Sequence, residues 1–220
     1  MRAPGLLLVA ALGGCAAPPP DPVPVAPASS SRGVLRYDAA PADGSARVVQ
    51  APEWRVGDRF VFRRGRYAIE TRVVSADEQG YRLRDEKAGI ELLLGRDLSE
   101  RGQELVGKAA SRITISPGDP REHWPLFVGK RWEAELELAV PNEPPRQIRV
   151  SYECDADETI RVPAGELRCL RIWRRSRAPE GDGTTETTSV HWYSPDVGHF
   201  VKRLENGILL ELEKAEKAAR

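Results

Sequence analysis

From Arg131 to Leu138 the chain alternates charged and apolar residues without a break. Arg131, Glu133, Glu135 and Glu137 fall on one parity, and Trp132, Ala134, Leu136 and Leu138 on the other. Successive side chains of a β-strand point to opposite faces, so this spacing gives a strand with one apolar and one charged side. A helix would scatter the same residues around its circumference. Gln147–Cys154 repeats the pattern, with Ile148, Val150, Tyr152 and Cys154 on the apolar side. Tyr67–Val73 follows it with Thr71 as the polar exception. Such strands need a sheet with one face buried and one in water.

Further strand candidates lie at 59–64, 80–86, 90–95, 111–115, 158–162, 166–176, 185–194, 199–205 and 207–213. Turn residues separate most of them: Arg64-Gly65, Gln79-Gly80, Pro141-Asn142, Pro163-Ala164-Gly165, Gly181-Asp182-Gly183 and Asn206-Gly207. The last is a tight-hairpin dipeptide. Helix is expected only at 97–107 and in a frayed Glu/Lys/Ala tail over 214–220. The expected fold class is all-β: a curved antiparallel meander forming a half-open or closed barrel, with little helix. One β domain is expected over 51–213. Within it Val56-Gly57-Asp58-Arg59-Phe60 is echoed by Val128-Gly129-Lys130-Arg131-Trp132. The echo marks either two β units, at 52–120 and 124–213, or a good turn-into-strand sequence used twice.

The N-terminal part is different in kind. Met1-Arg2 is followed by an apolar run, Leu6 to Leu12, and then by Gly13-Gly14-Cys15. The run is too short to span a bilayer, which takes about 20 residues. It has the proportions of a signal peptide, expected over 1–14. Leu12-Gly13-Gly14-Cys15 resembles the bacterial lipobox, in which small residues fit the signal peptidase and the Cys thiol receives diacylglycerol. The resemblance implies a lipidated (palmitate-bearing) Cys15 after cleavage. Each buried CH₂ contributes about 0.8 kcal/mol, so several acyl chains hold firmly. The alternative is an ordinary secretory signal with a chance cysteine. Ala16, where enterobacterial inner-membrane retention uses Asp, points to the outer membrane, facing the periplasm. Residues 15–50 read as a disordered Pro/Ala/Ser-rich tether, because proline fixes φ and removes donors. Where it is polyproline II it extends about 3.1 Å per residue.

Three segments occur in order in the second half: Trp124-Pro125-Leu126-Phe127-Val128-Gly129-Lys130-Arg131-Trp132, Val162-Pro163-Ala164-Gly165-Glu166-Leu167, and Trp192-Tyr193-Ser194-Pro195-Asp196-Val197-Gly198-His199-Phe200. They resemble a family of uncharacterised bacterial periplasmic proteins and lipoproteins that carry a "VPAG" hairpin and a "WYSP-x-VG" strand junction. The likeness covers 120–213 well and 52–119 loosely. It implies a curved antiparallel sheet, similar in kind to the half-barrels of periplasmic lipoprotein carriers. It implies no chemistry, since fold does not give function.

Charge and motifs narrow the function. The chain has 33 basic against 33 acidic side chains, which argues against a nucleic-acid binder. Cys154 and Cys169 remain once Cys15 carries lipid, and an oxidising compartment favours a disulfide between them, with two separate buried thiols as the alternative. The bridge would close a loop of about 16 residues, on the order of 3 kcal/mol in the entropic description. His123, His191 and His199 have no HxH or HExxH spacing, so no metal is expected. Ser194 lies outside any G-x-S-x-G elbow. No cofactor is implied, and no enzyme activity is expected. Trp54, Phe60, Phe62, Trp132, Leu136, Tyr152, Trp173 and Trp192 form either a candidate apolar groove or simply the core. Two functions follow: a non-catalytic interaction or structural module of the envelope, or a binder of lipid or lipoprotein acyl chains. The expected partners are the membrane, through Cys15, and an apolar ligand or an envelope protein.

Overall fold

The computed structural model describes residues 33–41, 46–180 and 183–219. The signal peptide, Cys15 and the Pro-rich stretch lie outside the described residues, as does the 181–182 turn. The described residues form thirteen strands and no helix. These are β1 (Gly33–Tyr37), β2 (Arg59–Arg64), β3 (Tyr67–Asp77), β4 (Gly80–Asp85), β5 (Ile90–Leu94), β6 (Glu100–Leu105), β7 (Lys108–Asp119), β8 (Arg131–Ala139), β9 (Arg146–Val162), β10 (Gly165–Glu180), β11 (Gly183–Ser194), β12 (His199–Glu205) and β13 (Ile208–Glu216).

Each strand from β2 to β13 pairs antiparallel with the next, and β13 pairs back onto β2. The result is a closed up-and-down barrel of twelve strands. Closure satisfies the edge groups that an open sheet would leave bare. The alternation seen in the sequence sets the facing. Trp132, Ala134 and Leu136 point inward and are buried, while Arg131 is exposed. Outward charges pair across strands, as in Arg131–Glu153, Arg149–Glu133 and Arg168–Asp157. Each such surface pair contributes only about 0.2–1 kcal/mol. A charged outside and an apolar inside invert the pattern that a membrane-spanning barrel presents to lipid.

An eight-stranded barrel is just wide enough for its own side chains to fill. Twelve strands leave more room, and here the connection between β7 and β8 occupies it. Leu126 and Phe127 of this connection are buried, and Trp124 packs edge-on against Tyr193 with ring centroids 5.2 Å apart. The interior then divides into two clusters. One gathers Trp132, Leu136, Tyr152, Cys154 and Ile172, and the other Trp54, Phe60, Phe62, Val73 and Cys169. The two echoed segments make equivalent bonds in these two clusters. Gly57 N donates to Val73 O and Gly129 N to Cys154 O, both glycines having positive φ (99° and 90°). Val73 N and Cys154 N donate back to Asp58 O and Lys130 O. Each segment thus buries a charged side chain, Asp58 or Lys130, two residues before a buried aromatic.

Several expectations are corrected. Residues 97–107 are not helical: they form a turn and strand β6. Gly102 explains why. Its φ is +139°, and a Cβ there would lie 2.0 Å from Ile113 O, so β6 and β7 approach as closely as only glycine permits. Residues 33–37, assigned to the tether, form β1. Strand β7 pairs with β8 only from Thr114 to Ser116, and β1 takes over the vacated edge of β8 at Trp132–Glu135. The tail is strand as far as Glu216, and beyond it Ala218 N donates to Asp58. Candidates 147–154 and 158–162 are one strand, β9.

The disulfide is also overturned: Cys154 and Cys169 are free and buried. Pairing with a bulge between Arg171 and Ile172 sets Cys154 opposite Ile172 and Cys169 opposite Glu158. The four positions separating 154 from 158 correspond to about 13 Å along a strand. A disulfide needs Cα atoms within about 7 Å. Burial pushes both thiols up to about 12, so they are poor nucleophiles. A Cys15→Ser chain should therefore release two thiols to a chromogenic disulfide reagent in denaturant without reductant, and almost none when native. A denatured sample lacking free thiols would contradict this arrangement.

Candidate functional site

The residues proposed from sequence do not line an open groove. Trp54, Phe60, Phe62, Trp132, Leu136 and Tyr152 are buried in the two core clusters, and Trp192 is half-buried against the second. Trp173 is 38% exposed, on the outer face, where its indole N–H donates to Asp155 at 3.1 Å. Cys15 lies outside the described residues. The "WYSP-x-VG" segment serves the core: Trp54 Nε1 donates to Gly198 O at 2.7 Å, and Trp192 Nε1 to Glu158 at 2.8 Å. Ala164 of the "VPAG" turn donates to Leu212 O at 3.0 Å.

Between the clusters runs a belt of buried charge that sequence reasoning missed. One line of paired residues crosses the sheet from Trp132 through Tyr152, Arg174 and Ser189 to Glu205. The end of β7 and the connection after it meet this line. Asp119, almost fully buried, accepts the Tyr152 hydroxyl through Oδ1 and Arg174 Nη2 through Oδ2 at 3.0 Å. Arg174 Nε also donates to the Tyr152 oxygen at 3.2 Å. Arg121 donates to Glu100 at 3.1 Å and to Glu205 at 3.3 Å. Glu122 Oε1 lies 3.1 Å from His191 Nε2, off the hydrogen-bond direction.

Electrostatics follow from these contacts. Burial alone would lower the Arg121 pKa, but Glu100, Asp119 and Glu205 raise it well above its ordinary value. Burial would raise Glu205, but Arg121 and Arg203 hold it low. Tyr152 is pushed well up by burial and by Asp119. These contacts favour the charged forms of Arg121, Arg174 and Glu205, and the carboxylates of Asp119, Glu100 and Glu205 are each paired with a guanidinium group. Such an arrangement holds a connection in place. The sequence did carry a signal for it. Arg174 shares parity with Leu170 and Ile172, and Arg203 and Glu205 share parity with Val201, so charge sits in phase with an apolar face.

Two further ionisable groups sit among rings. His199 stacks on Trp54 at 5.0 Å and touches Phe60, Phe62 and Phe200. Burial pushes its pKa down to about 4. Lys130, fully buried, donates to Pro125 O at 2.8 Å and lies over the rings of Tyr37, Phe127 and Trp132. Burial brings it down to about 8. Among the described residues, no group of three or more His, Cys, Asp or Glu could hold a metal ion.

The space left inside is small. A cavity of about 80 Å³ is bounded by Leu83, Leu92, Leu94 and Leu98 on one side and by Arg121, Glu122 and Arg203 on another. That is room for a few waters, against roughly 300–1,000 Å³ in ordinary ligand pockets. A larger groove, about 880 Å³, crosses the outer face of β1, β8, β9, β10 and β11 beside Trp173, and ion pairs line much of it.

No family model matches the chain, and no curated protein matches it. Solved structures are similar to it. The hypothetical lipoprotein YmcC from Escherichia coli superposes with a TM-score of 0.50 at 11% identity, over 76% of this chain and 90% of that one. A Bacteroides fragilis protein with a YmcC-like fold gives 0.42 at 14% identity, over 78% of this chain and 100% of that one. A candidate lipoprotein from Parabacteroides distasonis gives 0.44 at 12% identity, over 77% and 100%. At these identities the likeness is one of fold.

Two predictions follow from the belt and the ring-lined histidine. Asp119→Ala leaves buried Arg174 and Tyr152 without their acceptor, and should lower unfolding stability by roughly 3–5 kcal/mol in urea titration. Replacing Asp119 and Arg174 together by Leu and Met should recover most of the loss; no recovery would mean that the pair is not the cause. His199 has a native pKa of about 4, below the unfolded value of about 6.5. Between these values the unfolded chain takes a proton that the native one refuses, so stability falls as pH falls through that window. His199→Phe should flatten this slope in melts recorded from pH 7 to pH 4.

Proposed function

We propose that this chain is a lipid-anchored protein of the bacterial envelope whose barrel is a non-catalytic interaction or structural module. The filled lumen carries this reading. The interior holds two aromatic clusters, a belt of paired charge and a cavity of about 80 Å³, too small for an acyl chain. The carrier alternative needs an open apolar groove, and the rings nominated for one are core. What remains for contact with other molecules is the outer surface.

The anchor rests on Leu12-Gly13-Gly14-Cys15 and the short apolar run before it. The fold likeness to an Escherichia coli protein named as a lipoprotein supports it. Ala16 after the cysteine, in place of Asp, supports an outer-membrane destination with the barrel toward the periplasm. The outward charge of the strands fits water around the barrel, leaving attachment to the lipid on Cys15.

Both halves of the reading can be tested in one pair of cells. The wild-type protein should label with palmitate and fractionate with outer membranes, and Cys15→Ser should do neither. Unchanged labelling of Cys15→Ser would remove the anchor. The same Cys15→Ser protein, purified, should leave the emission of a fluorescent fatty acid unchanged and carry no lipid in native mass spectrometry. Saturable fatty-acid binding would restore the carrier.

A further inference from the structure

At one end of the barrel the exposed apolar residues gather. Strands β2, β4, β6, β8, β10 and β12 all run toward this end, so the turns that follow them share it. Tyr67, Leu105, Val106, Leu204, Ile208 and Leu209 lie at or beside these turns. They are six of the twelve large apolar side chains exposed among the described residues. Two of the tips are adjacent, because β13 pairs with β2. One is Arg64-Gly65-Arg66-Tyr67. The other is Asn206-Gly207, where both residues take positive φ, followed by Ile208 and Leu209. A groove of about 610 Å³ lies between them.

This groove combines apolar and cationic groups. Tyr67 is 57% exposed, and Ile208 and Leu209 are 38% and 39% exposed. Arg66 lies over the Tyr67 ring at 5.1 Å and donates to its hydroxyl at 2.8 Å. Arg64 has no carboxylate partner among the described residues, and Arg63 has only a long contact, 3.4 Å, to Glu211. Elsewhere on the barrel, most outward arginines on the strands are spent on cross-strand carboxylates. Tyrosine and arginine carry an apolar body with a polar head, which suits them to the headgroup layer of a bilayer.

The chain enters from the same side. Strand β1 is antiparallel to β8, so its first residue, Gly33, is its end nearest these tips. Residues 16–32 lead back from Gly33 to Cys15 and span at most about 60 Å. A lipid on Cys15 would therefore be joined to the barrel through this end. We infer that the paired tips Arg63–Tyr67 and Leu204–Leu209 form a docking face for a membrane surface bearing anionic phospholipid headgroups. The inference rests on the proposed anchor for its orientation, while the docking itself is a property of the tips.

The Cys15→Ser protein, which lacks lipid, separates the two. It should co-sediment with vesicles of equal parts phosphatidylglycerol and phosphatidylethanolamine, and far less with phosphatidylcholine vesicles. Arg64→Ser and Arg66→Ser should each weaken binding about fivefold, and the binding should fall as salt rises. Tyr67→Ser with Ile208→Ser should weaken it at unchanged charge. Arg161→Ser, a charge loss beside the turn at the opposite end of β9, should leave it unchanged. All five substitutions are at the surface, so thermal melts should match the parent. Absence of binding to anionic vesicles at low salt, or equal loss from Arg161→Ser and Arg64→Ser, would overturn the docking face. Loss of palmitate labelling from the wild type would instead strike the anchor and leave the vesicle result standing.

Discussion

The structure depends on how the β7–β8 connection is held inside the barrel. Twelve strands close around a space that inward side chains alone do not fill. An unfilled apolar lumen would cost the packing that makes closure worthwhile. The chain solves this by turning its own connection inward. Leu126 and Phe127 fill volume, while Asp119, Arg121 and Glu122 fix position through Tyr152, Arg174, Glu205 and His191. Ion pairs of this kind add little net stability compared with a well-packed apolar contact. Their contribution is geometric: a wrongly seated connection would leave several buried charges without partners at once. The belt therefore selects one arrangement among several that hydrophobic filling alone would allow.

The strands were legible because their signal is local. Period-two alternation in 131–138 and 147–154, and the Asn206-Gly207 hairpin, need no knowledge of neighbours. What escaped was set by partners far away in sequence. Residues 97–107 look helical by composition, yet the ring needs a strand between β5 and β7, and Gly102 lets it approach Ile113. Strand β1 exists only because β7 leaves β8 after Ser116 and opens an edge. The cysteines share apolar strand faces, but the tight turn that pairs Gly165 with Val162 sets Cys169 opposite Glu158, four residues beyond Cys154, and puts the two in separate clusters. Asp119 and Arg121 read as ordinary loop charges because nothing local reveals that their loop turns inward. Arg174, Arg203 and Glu205 were detectable as charges in phase with buried apolar positions.

The outside follows a second rule. Equal numbers of acidic and basic residues are laid out largely as cross-strand pairs, so the barrel wall is close to electrically neutral at short range. Neutral walls neither attract nor repel a charged surface beyond a Debye length of about 8–10 Å. Departures from pairing then matter more than net charge. Arg64 and Arg66, beside Tyr67 and Ile208, are such a departure, at an end where the wall gives way to turns.

A tether changes how strong such a contact must be. A domain confined near a surface by a short linker meets that surface at an effective concentration of about millimolar. A contact too weak to recruit the free protein can still fix the orientation of an anchored one. Two or three arginines and a few exposed apolar side chains suit that task, because stronger docking would pin the barrel flat and make the linker redundant. The groove beside Trp173 lies on the outer wall, well away from the hairpin tips. With those tips against lipid it would remain open to solvent, as would the opposite end of the barrel. In the proposed arrangement lipid, linker, tip and wall are thus separated by distance as well as by chemistry.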